Sequence, residues 1–443
     1  MTLGIERQNQ MNSRHRFTLR TSLKTLIFFA LLLFIASAEC ADFYVAPAGD
    51  DAAAGTLERP FATVQRAQNA TGPGDTVFIR GGIYQMKESQ IAERRRIFAY
   101  LTHLSKSGAP GKPITYRAYE NEKPVFDCSL VKPEGMRVDA FFVSGSWIHL
   151  IGLEVTGVQV TIKRHTQSIC FASNGSHNIF ERLSMHDGQA IGIYHVDGSD
   201  NLFLNCDAWN NWDTTSEDGR GGNVDGFGCH PSKDSTGNVF RGCRAWFNSD
   251  DGYDCISAHE AVTFENCWAF YNGLSPKFER TGDGNGFKAG GYGSLSAGML
   301  PRTIPRHVVR SCLAVGNKAS GFYANHHPGG GDWFHNTGYR NGTNFNFLCR
   351  LADNRTDVDG FGHVIKNNLS FNSRGNVSRL DSAKCELADN AFPPAFALSE
   401  NDFASLDESE PFQPRQANGD LPVMKFMHPA DAEKLKGFGA FGR

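Results

Sequence analysis

A six-residue pattern, Cys-x-Ala-aromatic-x-Asn or a close variant, returns along this 443-residue chain from residue 206 onward. It reads C-D-A-W-N-N at Cys206–Asn211, C-R-A-W-F-N at Cys243–Asn248, C-W-A-F-Y-N at Cys267–Asn272 and C-L-A-V-G-N at Cys312–Asn317. Weaker copies stand at Asn336–Asn341 and Asn367–Asn372, and short β-like runs such as Asn238–Phe240, Val262–Phe264 and His307–Val309 precede the copies. The closing asparagines are 211, 248, 272, 317, 341 and 372, at intervals of 37, 24, 45, 24 and 31 residues. Self-similarity at such spacings marks a solenoid, and short strands punctuated by Asn and Gly make it a β-solenoid. The 24-residue interval is one bare rung, and the longer ones carry an inserted loop. Rungs stack about 4.8 Å apart, so equivalent asparagines form a ladder in which each amide bonds the next turn. Cys206, Cys243, Cys267 and Cys312 fall in one column. A buried stack of small apolar thiols is one reading of it; disulfides between neighbouring rungs are the other.

The flanks extend this architecture. Residues 41–71 contain D-F-Y-V-A-P-A-G-D-D and then R-P-F-A-T-V-Q-R-A, a strand and a short amphipathic helix suited to cap the apolar end of a solenoid. Asp75–Tyr84 reads as a first rung, and Ile114–Phe126 and Trp147–Val155 continue the rhythm. The expected division is a signal peptide over 1–38, a parallel β-helix catalytic domain with its N-terminal cap over 39–375, and a tail over 376–443 packing on the helix. Arg14, Arg16, Arg20 and Lys24 precede the apolar run Leu26–Ile35, and a small-residue A-x-A site ends at Ala38. That run is short of the roughly 20 residues a membrane span needs, so export to the periplasm or medium is expected, with no membrane association afterwards. Lys and Arg total 44 against 47 Asp and Glu. The balance lacks the basic excess of a nucleic-acid surface. A monomer is expected.

A second motif follows the ladder: a polar residue, Gly, an aromatic and one variable residue. It reads D-G-F-G at Asp225–Gly228, D-G-Y-D at Asp251–Asp254, N-G-F-K at Asn285–Lys288 and S-G-F-Y at Ser320–Tyr323. Strand side chains alternate between faces, so the aromatics point inward. Two outward columns remain: Gly228, Asp254, Lys288, Tyr323, and Asp225, Asp251, Asn285, Ser320. Asp225, Asp250, Asp251 and Asp254 then converge across adjacent rungs, with Lys288 one rung above Asp254. Clustered carboxylates repel without a cation, and an oxygen-only set suits Ca²⁺. The plainer alternative is a solvated acidic face with Lys288 as an ion-pair partner.

D-D-G-Y-D at Asp250–Asp254 and G-D-G-N-G-F-K at Gly282–Lys288 resemble the calcium and base motifs of family 9 polysaccharide lyases. The opening D-F-Y-V-A-P-x-G-D-D is similar to the start of those proteins, and the resemblance spans about 41–372. It implies an all-β, right-handed parallel β-helix and a secreted, calcium-dependent lyase of the pectate lyase type, acting on an acidic polysaccharide. Carried over by motif, Asp225, Asp250, Asp251 and Asp254 would hold Ca²⁺, and Lys288 would take the C5 proton of a polyuronate. β-Elimination would follow. A β-helical glycoside hydrolase using two of the aspartates, or a non-catalytic carbohydrate-binding solenoid, are the alternatives. Arg280, Arg302 and Arg306 flank the Lys288 rung, and an Arg there suits clamping of a substrate carboxylate. His326, in the loop N-H-H-P at Asn325–Pro328, is a further substrate-binding candidate. Arg241, Glu265 and Arg310 each stand two residues before a ladder cysteine and should form an ion-paired stack.

Overall fold

The computed structural model describes residues 40–442, so the expected signal peptide over 1–38 lies outside the described residues. The chain winds as a right-handed β-helix through three sheets of 12, 10 and 11 strands, parallel throughout but for the hairpin Glu93–Arg95 with Phe98–Leu104. One rung, for example, contributes Asn238–Arg241 to the first sheet, Arg244–Trp246 to the second and Tyr253–Asp254 to the third. The next rung lays Val262–Glu265, Trp268–Phe270 and Phe287–Lys288 directly on these. Strands this short have no stability alone and depend on the rungs above and below.

The corners explain why the sequence repeats. The turn from first to second sheet needs one left-handed residue per rung. Gly152, Arg182, Asn205, Gly242, Asn266, Ser311, His335 and Asn367 supply it at φ of 51–70°. Asparagine tolerates that region better than most residues, and glycine tolerates it without penalty. The cysteine column comes next in each rung: Cys206, Cys243, Cys267 and Cys312 are all buried and free. Their thiols donate to main-chain carbonyls, Cys206 to Phe180 O and Cys243 to Phe203 O, each at 3.3 Å. In later rungs Asn336, Asn368 and Asn390 take over, each oxygen accepting from a residue one rung earlier. Thiol and amide therefore occupy the same slot.

The asparagine ladder between second and third sheets runs Asn211, Asn248, Asn272, Asn317, Asn341. Each amide donates to the next Asn oxygen at 2.8–3.2 Å, and each also donates to a main-chain carbonyl of the preceding rung. Asn372 does not continue it, contrary to the sequence expectation. Register pairs Tyr339 with Phe371, so Asn372 takes the left-handed position of Arg340 and Ser373 takes the ladder slot. Asn344 closes the ladder instead, accepting from the Asn341 amide at 2.9 Å and donating to Phe371 O at 3.1 Å.

Inside, Phe227, Tyr253, Phe287, Phe322 and Phe345 stack with centroids 4.6–5.2 Å apart. Such pairs add about 0.5–1.5 kcal/mol each beyond area burial. The helix Val64–Ala70 covers the N-terminal end, with Thr63 capping it by accepting from Arg66 N at 3.1 Å and Val64 and Ala67 buried. The segment beyond 376 lies along the second sheet. There Phe403, Leu421, Met424, Phe426 and Leu435 cover the outward Trp268, Phe270, Leu313 and Tyr339. One buried ionic knot fastens it: Asp207 pairs with Arg244 at 2.7 Å and with Arg415 of the tail at 2.6 Å. Burial raises the Asp207 carboxyl, but Arg415 and Arg244 outweigh it and hold the group below its ordinary range. Its contribution is present above the usual aspartate range and is lost as pH falls through the depressed value. The Arg241–Glu265–Arg310 stack forms as expected, at 2.8 and 3.1 Å.

Two outcomes follow from this packing. Asp207→Ala leaves two buried guanidinium groups uncompensated and should cost about 3–5 kcal/mol. Chemical denaturation reads that loss, and limited proteolysis should release the tail first. Cys243→Ser should cost about 1–3 kcal/mol, with peptide mapping of unreduced protein finding no disulfide among the four column cysteines.

Candidate active site

The site is a variation on the ladders. In the third sheet Phe227, Tyr253 and Phe287 pair in succession from strand to strand, as do Gly228, Asp254, Lys288 and Tyr323. This is the outward column read from the sequence. The column three residues earlier forms a ladder of its own. Asp225 Oδ1 accepts the Asp251 N–H at 3.1 Å, Asp251 Oδ1 the Asn285 N–H at 2.6 Å, and Asn285 Oδ1 the Ser320 N–H at 3.1 Å. An aspartate serves this bond as well as an asparagine does, and adds a charge. The Asn285 amide also donates to Asp251 Oδ1, at 2.8 Å.

Carboxylate oxygens of Asp225, Asp251 and Asp254 lie within 4.8 Å of one another, all three residues buried. Lys288 Nζ stands 3.0 Å from Asp251 Oδ2 and 3.1 Å from Asp254 Oδ2. That ion pair is the contact Asp251 Oδ2 makes; it has no well-directed hydrogen bond. Asp250 is buried beside them but outside the close group, its Oδ1 accepting the Asp283 N–H at 2.8 Å. Burial, then the charges of Asp250, Asp254 and Asp251, push the Asp225 carboxyl well above the usual range. Burial and Asp251 do the same to Asp250. Burial alone would lower the Lys288 ammonium, but Asp251, Asp254, Asp250 and Asp225 together hold it well above an ordinary lysine.

These residues fit a hard divalent cation. Oxygens ligating Ca²⁺ at about 2.3–2.6 Å sit within about 5 Å of each other, as the three aspartates do. The donor set is oxygen only, and the raised carboxyls register repulsion that a cation would relieve. Asp225, Asp251 and Asp254 are placed to hold it, with Asp250 next in reach.

The substrate-binding candidates part company. Arg306 is committed to structure: it donates to Gly362 O at 2.8 Å and Gly329 O at 3.2 Å and pairs with Asp332 at 2.5 Å. His326 pairs with Asp357 at 2.8 Å, an acid shared with Arg350. Arg302 lines a separate cleft with Lys233, His259 and Glu260. Arg280 is exposed in the loop preceding Asp283. Sequence reasoning passed over His230 and Tyr194. The rings stack with centroids 4.8 Å apart beside Gly228, where any side chain would strike them. His230 Nδ1 donates to Ile256 O at 2.6 Å. Strand parity from Gly228 was the available signal for His230. Among the described residues no helix is long and apolar enough to cross a membrane.

Comparison with known proteins agrees with this geometry. Residues 43–374 match the family model described as Pel9A-like, right handed beta helix region. A pectate lyase L of Dickeya dadantii is 32% identical over 89% of this chain and 84% of its own length. A pectate lyase of Emericella nidulans is 28% identical over 89% and 94%. Among solved structures, a rhamnogalacturonan lyase is 44% identical with a TM-score of 0.87, covering 90% of this chain and 99% of its own. The pectate lyase Pel9A is 30% identical with a TM-score of 0.72, covering 91% and 96%. The chain belongs to the Pel9A-like right-handed β-helix family and is a polysaccharide lyase.

Proposed function

We propose that this protein is an exported lyase that cleaves a polyuronate, foremost polygalacturonate, by calcium-dependent β-elimination with Lys288 as the base. The observation that carries the reading is one partly buried lysine contacting two aspartates of a three-carboxylate cluster on adjacent rungs. The N-terminal run of basic, apolar and small residues supports export. Bound by the aspartates, Ca²⁺ would supply positive charge to the C6 carboxylate of the sugar, where negative charge grows as the C5 proton leaves. The chain's own part is positional. The backbone N–H groups of Asp251 and Asn285 hold the Asp225 and Asp251 carboxylates still. Ile256 N fixes Asp254 Oδ1 at 2.7 Å. Lys288 stands one strand further, its amine aimed at the same point. A neutral amine is needed to accept a proton, and carboxylates engaged elsewhere release their hold on the ammonium while burial favours the neutral form. The C5–H bond breaks toward Lys288 Nζ, its electrons form the C4–C5 double bond, and the O4-linked sugar leaves. A paired-carboxylate hydrolase would leave Lys288 without a task.

A second substrate reading rests on the 44% identical rhamnogalacturonan lyase structure: the galacturonate attacked would then alternate with a neutral sugar. A panel of polygalacturonate, rhamnogalacturonan, alginate and glycosaminoglycan, scored by ultraviolet absorbance of unsaturated product, separates the two. Saturated products from any of them would instead support hydrolysis.

Lys288→Ala should lower kcat/KM by at least about 100-fold while preserving the fold. Lys288→Arg should be similarly impaired, because arginine stays protonated. Retention of a tenth of the activity, about 1.4 kcal/mol of barrier, would remove Lys288 from the role. Excess chelator should abolish turnover and added Ca²⁺ restore it. Asp251→Asn keeps an oxygen for the Asn285 N–H but loses the charge. It should leave thermal stability intact or raised and weaken Ca²⁺ binding, read by calorimetry, at least about tenfold.

A further inference from the structure

A groove of about 430 Å³ runs along the turns between second and third sheets, lined by Asn317, Asn341 and Asn372 among others. Four cations line it: Arg280, Lys318, Arg340 and Arg374. They come from successive rungs, so the row spans three steps, about 14 Å at 4.8 Å each. A chain whose formal charge is -3 has concentrated positive charge here.

The cations have different duties. Lys318 donates to Thr281 O at 2.9 Å and to Gly282 O, pinning the loop whose Asp283 N–H reaches Asp250. It lies within electrostatic reach of Arg280 on one side and of Asp283 and Asp250 on the other. Arg340 pairs with Glu408 at 2.5 Å. Arg280 and Arg374 are exposed, and neither has an ion-pair partner among the described residues. Register sets Lys318 and Arg374 in the same slot of their turns, two rungs apart, each three residues beyond the paired Val315 and Phe371. The rung between presents Gly342, where a Cβ would lie 2.5 Å from Ala319 O. The glycine is required by this close approach to the main chain of the preceding rung, and it adds no side chain between the two cations. Ser373, whose hydroxyl has no hydrogen-bond partner, lines the same space.

Guanidinium groups facing an open trough, with a hydroxyl beside them, suit carboxylates on a sugar chain. Through Lys318 the trough lies within electrostatic reach of Asp250 and Asp251 of the aspartate cluster. We propose that this groove binds the carboxylates of the acidic polysaccharide beyond the bond being cleaved, with Arg280 and Arg374 as the contacting residues. The proposal rests on the lyase reading for the identity of its ligand.

The test is the double variant Arg280→Ala/Arg374→Ala, first checked for unchanged circular dichroism and melting temperature. On the best polymer of the panel its KM should rise about tenfold with kcat held within about twofold, as loss of charged contacts made equally in ground and transition states requires. Electrophoretic retardation in a gel containing polygalacturonate or rhamnogalacturonan should be strong for the unaltered protein, weakened by salt, and lost in the variant. A folded variant with KM within about twofold of the original, or with retardation unchanged, overturns the groove while product formation leaves the lyase reading standing. Loss of retardation in the variant, with no unsaturated product from any polymer even in the unaltered protein, supports the groove and overturns the lyase reading.

Discussion

Each turn of this chain sets the height of the next through one bond: a side-chain oxygen accepting the N–H of the equivalent residue one rung back. Asn248 accepts from nothing but its neighbour's amide at 3.1 Å, while its own N–H goes to Asn272 Oδ1 at 3.2 Å, and the step recurs along the ladder. Strands of two to four residues contribute little alone. What holds them in register is that the corner groups are buried and have these partners, since an unpaired buried amide would cost about 1–3 kcal/mol. Left-handed corner residues and inward aromatic stacks are then consequences: once rungs are fixed at one spacing, like must lie on like.

The candidate site is built by editing a second ladder, in which each side-chain oxygen accepts the N–H one rung on. Asp225 and Asp251 take positions that Asn285 and Ser320 fill further along, and they keep the same main-chain bond. Each Asn-to-Asp exchange therefore adds charge without loosening the rung. Gly228 clears the outward face between Tyr194 and Asp254. Burial of several carboxylates is expensive, and the stacked rungs on both sides are what make the site tolerable. The strain shows in the raised carboxyls of Asp225, Asp250 and Asp251.

Much of this was legible before any coordinates, for a physical reason. A solenoid maps sequence period onto space, so two residues in equivalent motif positions must be neighbours. That logic placed Lys288 over Asp254 and Phe287 on Tyr253 correctly. It slipped by one residue at Asn372, where a left-handed corner asparagine looks like a ladder asparagine and only strand register tells them apart. It had no purchase on inserted loops, which obey no period. Arg306 and His326 looked available from their position near the Lys288 rung, yet Asp332, Gly329, Gly362 and Asp357 occupy them. Asp250 stood in the predicted patch, while its bond to the Asp283 N–H, between non-equivalent positions of neighbouring rungs, was not part of that expectation.

Lys288 and a divalent cation want the same carboxylates, and this competition orders the chemistry. With the ammonium as their counter-ion, Asp251 and Asp254 stabilise the protonated lysine, the form that cannot accept a proton. On the proposed reading, a cation among Asp225, Asp251 and Asp254 would take over that role with twice the charge and would relieve the mutual repulsion of the cluster. The lysine would then be left where burial disfavours its charge. On that reading the carboxylates that would hold the cation would also control the proposed base. A residue one rung away does both jobs because parallel register keeps it 3.0–3.1 Å from two of them. Substrate contacts that need no such coupling are free to lie on other turns, whose loops vary in length without disturbing the two rungs of the site.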